Sequence, residues 1–330
     1  MRLTHPARRT VLKGMAATAA VGVASIAMPR IGRAAPQKLV VGKSIPTLLA
    51  YTPIDVGLAN NLYQKRGLEL EVVSFNGAAR MNQAMVSGAI DIGLGSGASM
   101  SDIGKGAPTL CIAQTLGPPA DIAIVVPYES PIKTVDDMRG KLVGVASTGS
   151  VTEWMAFEIA RQKGWPISDI RTAGIGGTDA AVAAIRAKQV DALVVDIAIG
   201  FLLEPQKAGR LLIPCSDYVK DFVMHANFAT NKIMADNAEA VTAFCAAWFE
   251  AIDMMQKDKE QTVKIATPVT KLDPAIIAKT YDIVIPQMSR DGRFDPKGLE
   301  ILAQSYVDMK QLPAKPDMAK FYTEKYLPKA

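Results

Sequence analysis

The sequence is poor in the residues that most often carry metal and nucleophile chemistry. It contains three cysteines and two histidines in 330 residues, and only His225 lies beyond residue 34. A zinc site needs several Cys or His ligands, and a Ser-His-Asp triad would depend on this single histidine. No Gly-x-Ser-x-Gly elbow is present either. We therefore expect no metal site, no bound cofactor and no serine catalysis.

Cysteines are too few and too far apart for a disulfide framework. Cys111, Cys215 and Cys245 each lie in an apolar segment. A buried free thiol is the favoured interpretation, although one disulfide among the three stays open if the protein is exported to an oxidising compartment.

Beyond residue 34, the sequence also lacks an excess of charge of either sign. The net charge of +5 comes from residues 1–34, which hold six basic residues and no acidic residue. The remainder carries 31 basic against 32 acidic residues. A basic surface for nucleic acid is therefore not expected.

The basic leader has its own organisation. "ARRTVLKG" (7–14) precedes "MAATAAVGVASIAM" (15–28), an apolar run shorter than the about 20 residues of a membrane span. The twin arginine resembles a twin-arginine export signal, and Gly32 and Ala34 suit cleavage after Ala34. We predict a removed signal peptide over 1–34 and a periplasmic protein exported by that route.

The rest of the chain repeats its own plan at a spacing of about one hundred residues. "KLVVGKSIP" (38–46) matches "KLVGVASTG" (141–149), each an apolar strand that runs into a loop of small residues. Residues 76–95 match 176–195, each an Ala-rich helix followed by a turn and a β-rich strand. Both halves therefore read strand–helix–strand–helix–strand, which is typical of an open parallel α/β sheet. We expect two similar lobes rather than one continuous sheet.

Asp91 and Asp191 stand at corresponding places in the two halves, just before the last strand of each. Solvated turn residues would explain them equally well. "ADIAIVVP" (120–127) and "HANFATNKIM" (225–234) are extended connectors, and the chain after them is helical. Asp273-Pro274 and Asp295-Pro296 are good helix openings.

The loops after the predicted strands are rich in Gly, Ala, Ser and Thr. In open α/β sheets the ligand lies beyond the carboxyl ends of the strands, where a helix N-terminus offers free N–H donors and a partial positive charge. These loops therefore predict an anion site built from backbone donors. The candidate ligand-binding residues are Ser44, Tyr51, Gly77, Ala78, Arg80, Ser96, Gly97, Ser147, Thr148, Ser150, Val151, Thr152, Thr178 and Asp196.

Some of these candidates have an equally plain structural role. Ser150 and Glu153 fit a capping box, so Ser150 is favoured as a helix cap. Arg80, early in its helix, could face the cleft or water. Asp196 could hold an amine or a hydroxyl, whereas Asp179 is favoured as a helix-start carboxylate.

Longer motifs then resemble a known family. "GLANNLYQKRGLELEVVSFNGAARMNQAMVSGAIDIGLGSGAS" (57–99), "IKTVDDMRGKLVGVASTGSVTEW" (132–154) and "AAVAAIRAKQVDALVVD" (180–196) resemble the periplasmic solute-binding proteins of ABC importers, in the nitrate/sulfonate/taurine group.

The resemblance implies an α/β, two-lobed periplasmic-binding-protein fold of type II-like form. Each lobe is a small, mostly parallel sheet flanked by helices, with two crossing strands and a C-terminal helical part. The first lobe comprises 35–124 and 229–330, and the second comprises 125–228. The implied function is capture of a small organic anion in the cleft, without catalysis, by a monomer that closes and delivers the ligand to a membrane ABC permease.

Two alternatives remain at this point. "GIGGTD" (174–179), with Asp196 about 20 residues on, faintly imitates a dinucleotide fingerprint, which would suit an exported NAD(P)-dependent oxidoreductase. The same family includes binders of a thiamine pyrimidine precursor, which would need stacking from Tyr51, Trp154 or Phe228. The related pyrimidine synthase would imply a reactive histidine, here His225, and a cysteine-rich loop that this sequence lacks.

Overall fold

The computed structural model describes residues 36–329. The predicted signal peptide, its twin arginine and its cleavage site lie outside the described residues. Among the residues described, no helix combines the length and apolar character needed to cross a membrane.

The first sheet has five strands in the order β2-β1-β3-β10-β4. Strands β1, β2 and β3 pair in parallel, and β10 runs antiparallel to both β3 and β4. The strand bounds are β1 Gln37–Lys43, β2 Leu68–Ser74, β3 Ile92–Ser96, β4 Thr109–Leu116 and β10 His225–Thr230.

The second sheet repeats this arrangement in the order β7-β6-β8-β5-β9. Strands β6, β7 and β8 are parallel, and β5 is antiparallel to β8 and β9. Each sheet therefore has four strands in one direction and one against them, which confirms the α/β, mostly parallel prediction. The bounds are β5 Ile122–Pro127, β6 Leu142–Val145, β7 Arg171–Gly174, β8 Ala192–Asp196 and β9 Gly209–Pro214.

The repeat extends to single hydrogen bonds. Asp91 Oδ2 accepts from Val40 N at 2.9 Å in the first sheet, and Asp191 Oδ2 accepts from Leu142 N at 2.8 Å in the second. Each carboxylate thus satisfies a backbone donor of the neighbouring interior strand, β1 or β6. Asp91 and Asp191 are structural anchors in equivalent places rather than merely solvated turn residues.

Two segments connect the sheets, and they touch. The first crossover, 117–121, joins β4 to β5, and the second, 215–224, joins β9 to β10. Met224 N donates to the carbonyls of Leu116 and Gly117, both at 3.0 Å. The predicted lobe limits at 124/125 and 228/229 fall inside β5 and β10, because each of these strands pairs along its whole length within one sheet.

Helices cover the outer faces of both sheets and form the C-terminal part. Asp273 and Asp295 cap the helices that follow them, as predicted. The helical chain expected after residue 234 is divided near its start, because Asp258 caps a new helix. The bounds are α1 Pro53–Ala59, α2 Ala78–Val86, α3 Ser101–Gly104, α4 Val151–Lys163, α5 Thr178–Arg186, α6 Ile197–Leu203, α7 Asn231–Asp236, α8 Ala238–Lys257, α9 Lys259–Thr270, α10 Pro274–Val284 and α11 Pro296–Asp308.

The C-terminal helices contact both sheets' helices rather than the first lobe alone. Helices α8 and α9 pack on α1, whereas α10 also packs on α6. At the end of α11, Asp308 Oδ2 accepts from Trp154 Nε1 at 3.1 Å and pairs with Arg161 at 2.9 Å, both on α4. The C-terminal part therefore connects the two lobes.

Candidate functional site

A cavity of about 290 Å³ lies where the carboxyl ends of the parallel strands of both sheets face each other. Its walls come from the first sheet's loops, from the second sheet's loops and from the two crossovers. Most of the lining is apolar, and the polar groups are few. This is the usual composition of a small-molecule site.

Nine of the fourteen predicted residues line this cavity. They come from six separate loops that the fold brings together. They are Ser44, Tyr51, Ala78, Ser96, Ser150, Val151, Thr152, Thr178 and Asp196.

The other five predicted residues lie outside the cavity lining. Arg80 is exposed on α2, and Ser147 and Thr148 are exposed in the loop after β6. Gly77 precedes α2 with φ 113°, and its N–H donates to Ser44 O at 2.9 Å. Their placement gives Arg80, Ser147 and Thr148 no contact with the cavity in this conformation.

Gly97 is buried against the second crossover. Its N–H donates to Met224 O at 3.0 Å, and its carbonyl accepts from Tyr306 Oη at 2.7 Å. A Cβ at this position would lie 2.0 Å from Val223 O. Close backbone packing therefore requires a glycine at this position, directly after β3.

The loop before α4 is an internally capped helix start. Ser150 Oγ accepts from Glu153 N at 3.4 Å, as the predicted capping box requires. Glu153 Oε2, however, accepts from Gly149 N at 2.7 Å instead of from Ser150 N. Thr152 Oγ1 accepts from Ala146 N at 3.0 Å. Within residues 36–329, the N–H groups of Val151 and Thr152 have no acceptor and remain available to a ligand.

Two further helices begin at the cavity. Thr178 is the first residue of α5, and Ala78 is the first residue of α2. Neither helix has a side-chain cap. Three helix N-termini of eight or more residues therefore direct free N–H groups and partial positive charge toward the cavity.

Asp196, the last residue of β8, also lines the cavity. Its Oδ1 caps α6 by accepting from Ala198 N at 2.8 Å. Burial raises the pKa of Asp196 to about 7; the N–H of Ala198 acts against this rise, and the nearby Asp121 carboxylate adds to it. Asp196 therefore titrates near neutral pH in the ligand-free protein.

A chain of four polar side chains crosses the site, and two of its members were missed by the sequence analysis. His225 Nε2 donates to Asp121 Oδ2 at 2.5 Å. In the neutral imidazole this leaves Nδ1 to accept from Tyr51 Oη, at 3.1 Å. Tyr51 Oη in turn accepts from Ser44 Oγ at 3.1 Å. All four line the cavity.

Asp121 and His225 each left one signal in the sequence. Asp121 is an isolated carboxylate in the apolar run "PPADIAIVVP", and His225 is the one histidine beyond the leader. Both runs have the pattern of extended connectors, which by itself indicates no ligand contact. Only the contact between the two crossovers brings these side chains together.

No lysine or arginine lines the cavity among the described residues. The buried ammonium of Lys43 is bound to Asp55 at 2.5 Å, outside the lining. In the same range, no group of three or more His, Cys, Asp or Glu could hold a metal ion. Charge in the lining is limited to two carboxylates and one histidine.

The remaining candidates from the sequence belong to the core. Trp154 stacks on Phe222 with ring centroids 5.1 Å apart, and Phe228 is 2% exposed in β10. All three cysteines are free and buried outside the cavity lining. Burial raises the pKa of Cys215 and Cys245 to about 12, so these thiols are poor nucleophiles.

Comparison with known families gives a match across the fold. The profile described as "NMT1/THI5 like" matches residues 50–262. A relative in Brucella abortus (strain 2308), which carries only the provisional name of binding protein, is 26% identical over 217 residues. The match covers 65% of this chain and 66% of that relative.

Solved structures agree with the fold. The periplasmic aliphatic sulphonate binding protein SsuA of Escherichia coli superposes with a TM-score of 0.74 and 21% identity, over 87% of this chain and 92% of SsuA. The desulfurization enzyme DszB superposes with a TM-score of 0.64 and 12% identity, over 88% and 97% of the two chains. The periplasmic-binding-protein fold implied by the sequence is thereby confirmed.

Proposed function

The chain belongs to the NMT1/THI5-like family, and from this premise we propose that it is the substrate-binding component of an ABC importer. It captures a small organic anion in the cleft between its lobes and delivers it to a membrane permease. The observation that carries this proposal is the cavity itself, whose walls come from both sheets and both crossovers. A ligand in that place contacts both lobes at once, which is how hinge closure is coupled to binding.

The donors for the anionic end are backbone N–H groups. The free N–H groups of Val151 and Thr152 and the uncapped start of α5 face the cavity from the second lobe. Helix N-termini bind anions without help from arginine or lysine. The sulfonate-type ligand inferred from the sequence is therefore compatible with a lining that has no basic side chain.

Size and polarity favour an organic ligand over nitrate. The cavity of about 290 Å³ is lined mostly by apolar side chains, including Ile122, Val145 and Ile199. A four-atom anion would leave most of this apolar surface without a partner. The favoured ligand has an apolar body and a polar group at its end.

In this proposal the protein is a periplasmic monomer without catalytic activity. Ser44 Oγ contacts Tyr51 and not His225, so Ser44 is not placed for activation by the histidine. The cysteines lie outside the cavity lining. The fold is shared with an enzyme at 12% identity, a likeness that extends to the fold alone.

The two alternatives are less favoured. The "GIGGTD" loop does reach the cavity through Gly176, Gly177 and Thr178, yet a cavity of this size is small for a dinucleotide. For a pyrimidine precursor, Tyr51 is the one lining aromatic of the three considered, since Trp154 and Phe228 pack in the core.

A thermal-shift screen of the purified protein tests the proposal. The panel holds taurine, alkanesulfonates, small carboxylates, aminopyrimidines, nitrate and NADP. A ligand at 100-fold over its Kd adds about 2.7 kcal/mol to the free energy of unfolding, which raises Tm by about 4 °C in a chain of this size. A rise with one class of small anion is expected. A rise with NADP alone would contradict the importer function and favour the oxidoreductase.

A further inference from the structure

At the end of the cavity formed by the crossovers lies a carboxylate, Asp121, with one oxygen that accepts no hydrogen bond within residues 36–329. Asp121 is 1% exposed, and its Oδ2 accepts from His225 Nε2. Its Oδ1 is buried and has no hydrogen-bond partner among residues 36–329. Leaving such an oxygen without a donor is costly, and Asp121 lines the cavity.

A second carboxylate lies at the same end. Asp196 pairs with Ile122 across β8 and β5, and Ile197 N donates to Asp121 O at 2.8 Å. Asp196 uses Oδ1 as a helix cap, and its Oδ2 has no partner in the described part of the chain. Two free carboxylate oxygens, one at the end of the first crossover and one at the end of β8, therefore border one cavity whose lining, within residues 36–329, contains no lysine or arginine.

We infer that Asp121 and Asp196 form a subsite for a nitrogen donor of the ligand, an ammonium or amino group, which selects amino-bearing anions over anions that end in an alkyl group. This inference rests on the proposed function and adds a specificity to it. The ligand's anionic group faces the N-termini of α4 and α5, and its nitrogen faces the crossovers.

Electrostatics at the subsite support this orientation. The charged and titratable groups that face Asp196 are Asp121 and His225, with the Tyr51 hydroxyl behind the histidine. The pKa of Asp196 is raised to about 7, chiefly by burial. A bound ammonium favours the ionised carboxylate, so protons compete with the ligand. Affinity for an amino-bearing ligand should fall as the pH is lowered from about 8 to about 6.

Matched ligand pairs test the subsite directly. Taurine and propane-1-sulfonate differ by an ammonium in place of a methyl group, as do 3-aminopropanesulfonate and butane-1-sulfonate. Isothermal titration of the purified protein should give a Kd about tenfold or more lower for the amino member of a pair. The preference should shrink to less than about threefold in Asp196→Asn, which keeps the helix cap.

Asp273→Asn is the matched control variant. Asp273 caps α10 through Oδ1 with the same 2.8 Å distance to the N–H two residues on, but it is exposed and does not line the cavity. Its substitution should leave both affinities unchanged. Equal or tighter binding of the alkyl-terminated members would overturn the subsite while leaving the importer function intact.

Native mass spectrometry of the freshly purified protein distinguishes failure of the subsite from failure of the proposed function. A retained small molecule that carries an amino group and an acidic group supports the subsite, and one that lacks a nitrogen donor overturns it. No binding by either member of any pair, together with no retained molecule, would overturn the proposed capture of organic anions and the subsite with it.

Discussion

Asp121 Oδ2 and His225 Nε2 lie 2.5 Å apart and join the two segments that cross between the sheets. Asp121 ends the first crossover, and His225 follows the second at the start of β10. Both side chains are almost fully buried and line the cavity. One hydrogen bond thus connects the two crossovers at the cavity, and Tyr51 and Ser44 continue the chain of contacts into the first lobe.

Removing the acceptor of this bond should destabilise the protein. Asp121→Ala leaves His225 Nε2 buried without a partner, and the expected loss in the free energy of unfolding is about 3 kcal/mol. Urea denaturation measures it. Asp217→Ala, an exposed site in the second crossover, is the control and should change stability by about 0.5 kcal/mol or less. A loss below about 1 kcal/mol for Asp121→Ala would mean that the bond does not stabilise the crossovers.

The equivalent carboxylates of the two lobes should behave alike. Asp91→Ala and Asp191→Ala each remove the acceptor of one backbone N–H, from Val40 and Leu142 respectively. Each should cost about 1–2 kcal/mol of unfolding free energy. Urea denaturation should give values within about 1 kcal/mol of each other, and Glu69→Ala on the exposed side of β2 should be near neutral. A loss of unfolding free energy at only one of the two sites would show that the equivalent hydrogen bonds do not contribute equally to stability.

Much of the fold could be predicted because it repeats. Strand, loop and helix patterns at 38–46 and 141–149 are local, and the α/β architecture follows from their order. The limits between the lobes could not be derived in the same way, since an extended run such as 120–127 does not reveal which sheet it joins. Pairing of β5 with β8 and β9 decides that, and it is a long-range property.

The site was predictable where it is made of loops that follow strands. Ser44, Ser150 and Thr178 could be located because the carboxyl ends of parallel strands meet at one edge. Asp121 and His225 could not, because they come from the crossovers, 104 positions apart in sequence. Gly97 was predicted as a ligand-binding residue, and it lies outside the cavity lining. Its glycine serves contact with Val223 of the second crossover, which no local pattern indicates.

That contact predicts a sharp difference between two glycines near the cavity. Gly97→Ala would place a Cβ 2.0 Å from the carbonyl oxygen of Val223, and backbone cannot yield cheaply. The free energy of unfolding should fall by about 3 kcal/mol or more. Gly177→Ala meets no atom within 4 Å and has φ −80°, so it should change stability by about 0.5 kcal/mol or less. Comparable losses in the two variants, measured by urea denaturation, would contradict the packing account.

Asp196→Asn should stabilise the ligand-free protein at alkaline pH even though it weakens binding. The folded-state pKa of Asp196, about 7, is above the value of about 3.9 in the unfolded chain. Between these values the folded state binds more protons, so the free energy of unfolding falls as the pH rises through this window. Above about pH 7 Asp196 is ionised in both states, and the loss of unfolding free energy caused by the buried charge is fully present. Asparagine carries no charge and causes no such loss.

The size of the effect follows from the same linkage, reduced because Asp196 is partly open to solvent through the cavity. At about pH 8 the variant should be more stable than the parent by about 2 kcal/mol, and the two should converge near pH 4. Urea denaturation across this range measures the difference, and Asp273→Asn on an exposed cap should show no such trend. A variant that is less stable at pH 8, or a gain that persists unchanged at pH 4, would mean that the ionised Asp196 is not destabilised by its surroundings. A gain in stability accompanied by loss of affinity for amino-bearing ligands would instead show that this carboxylate is kept for binding at the expense of the fold.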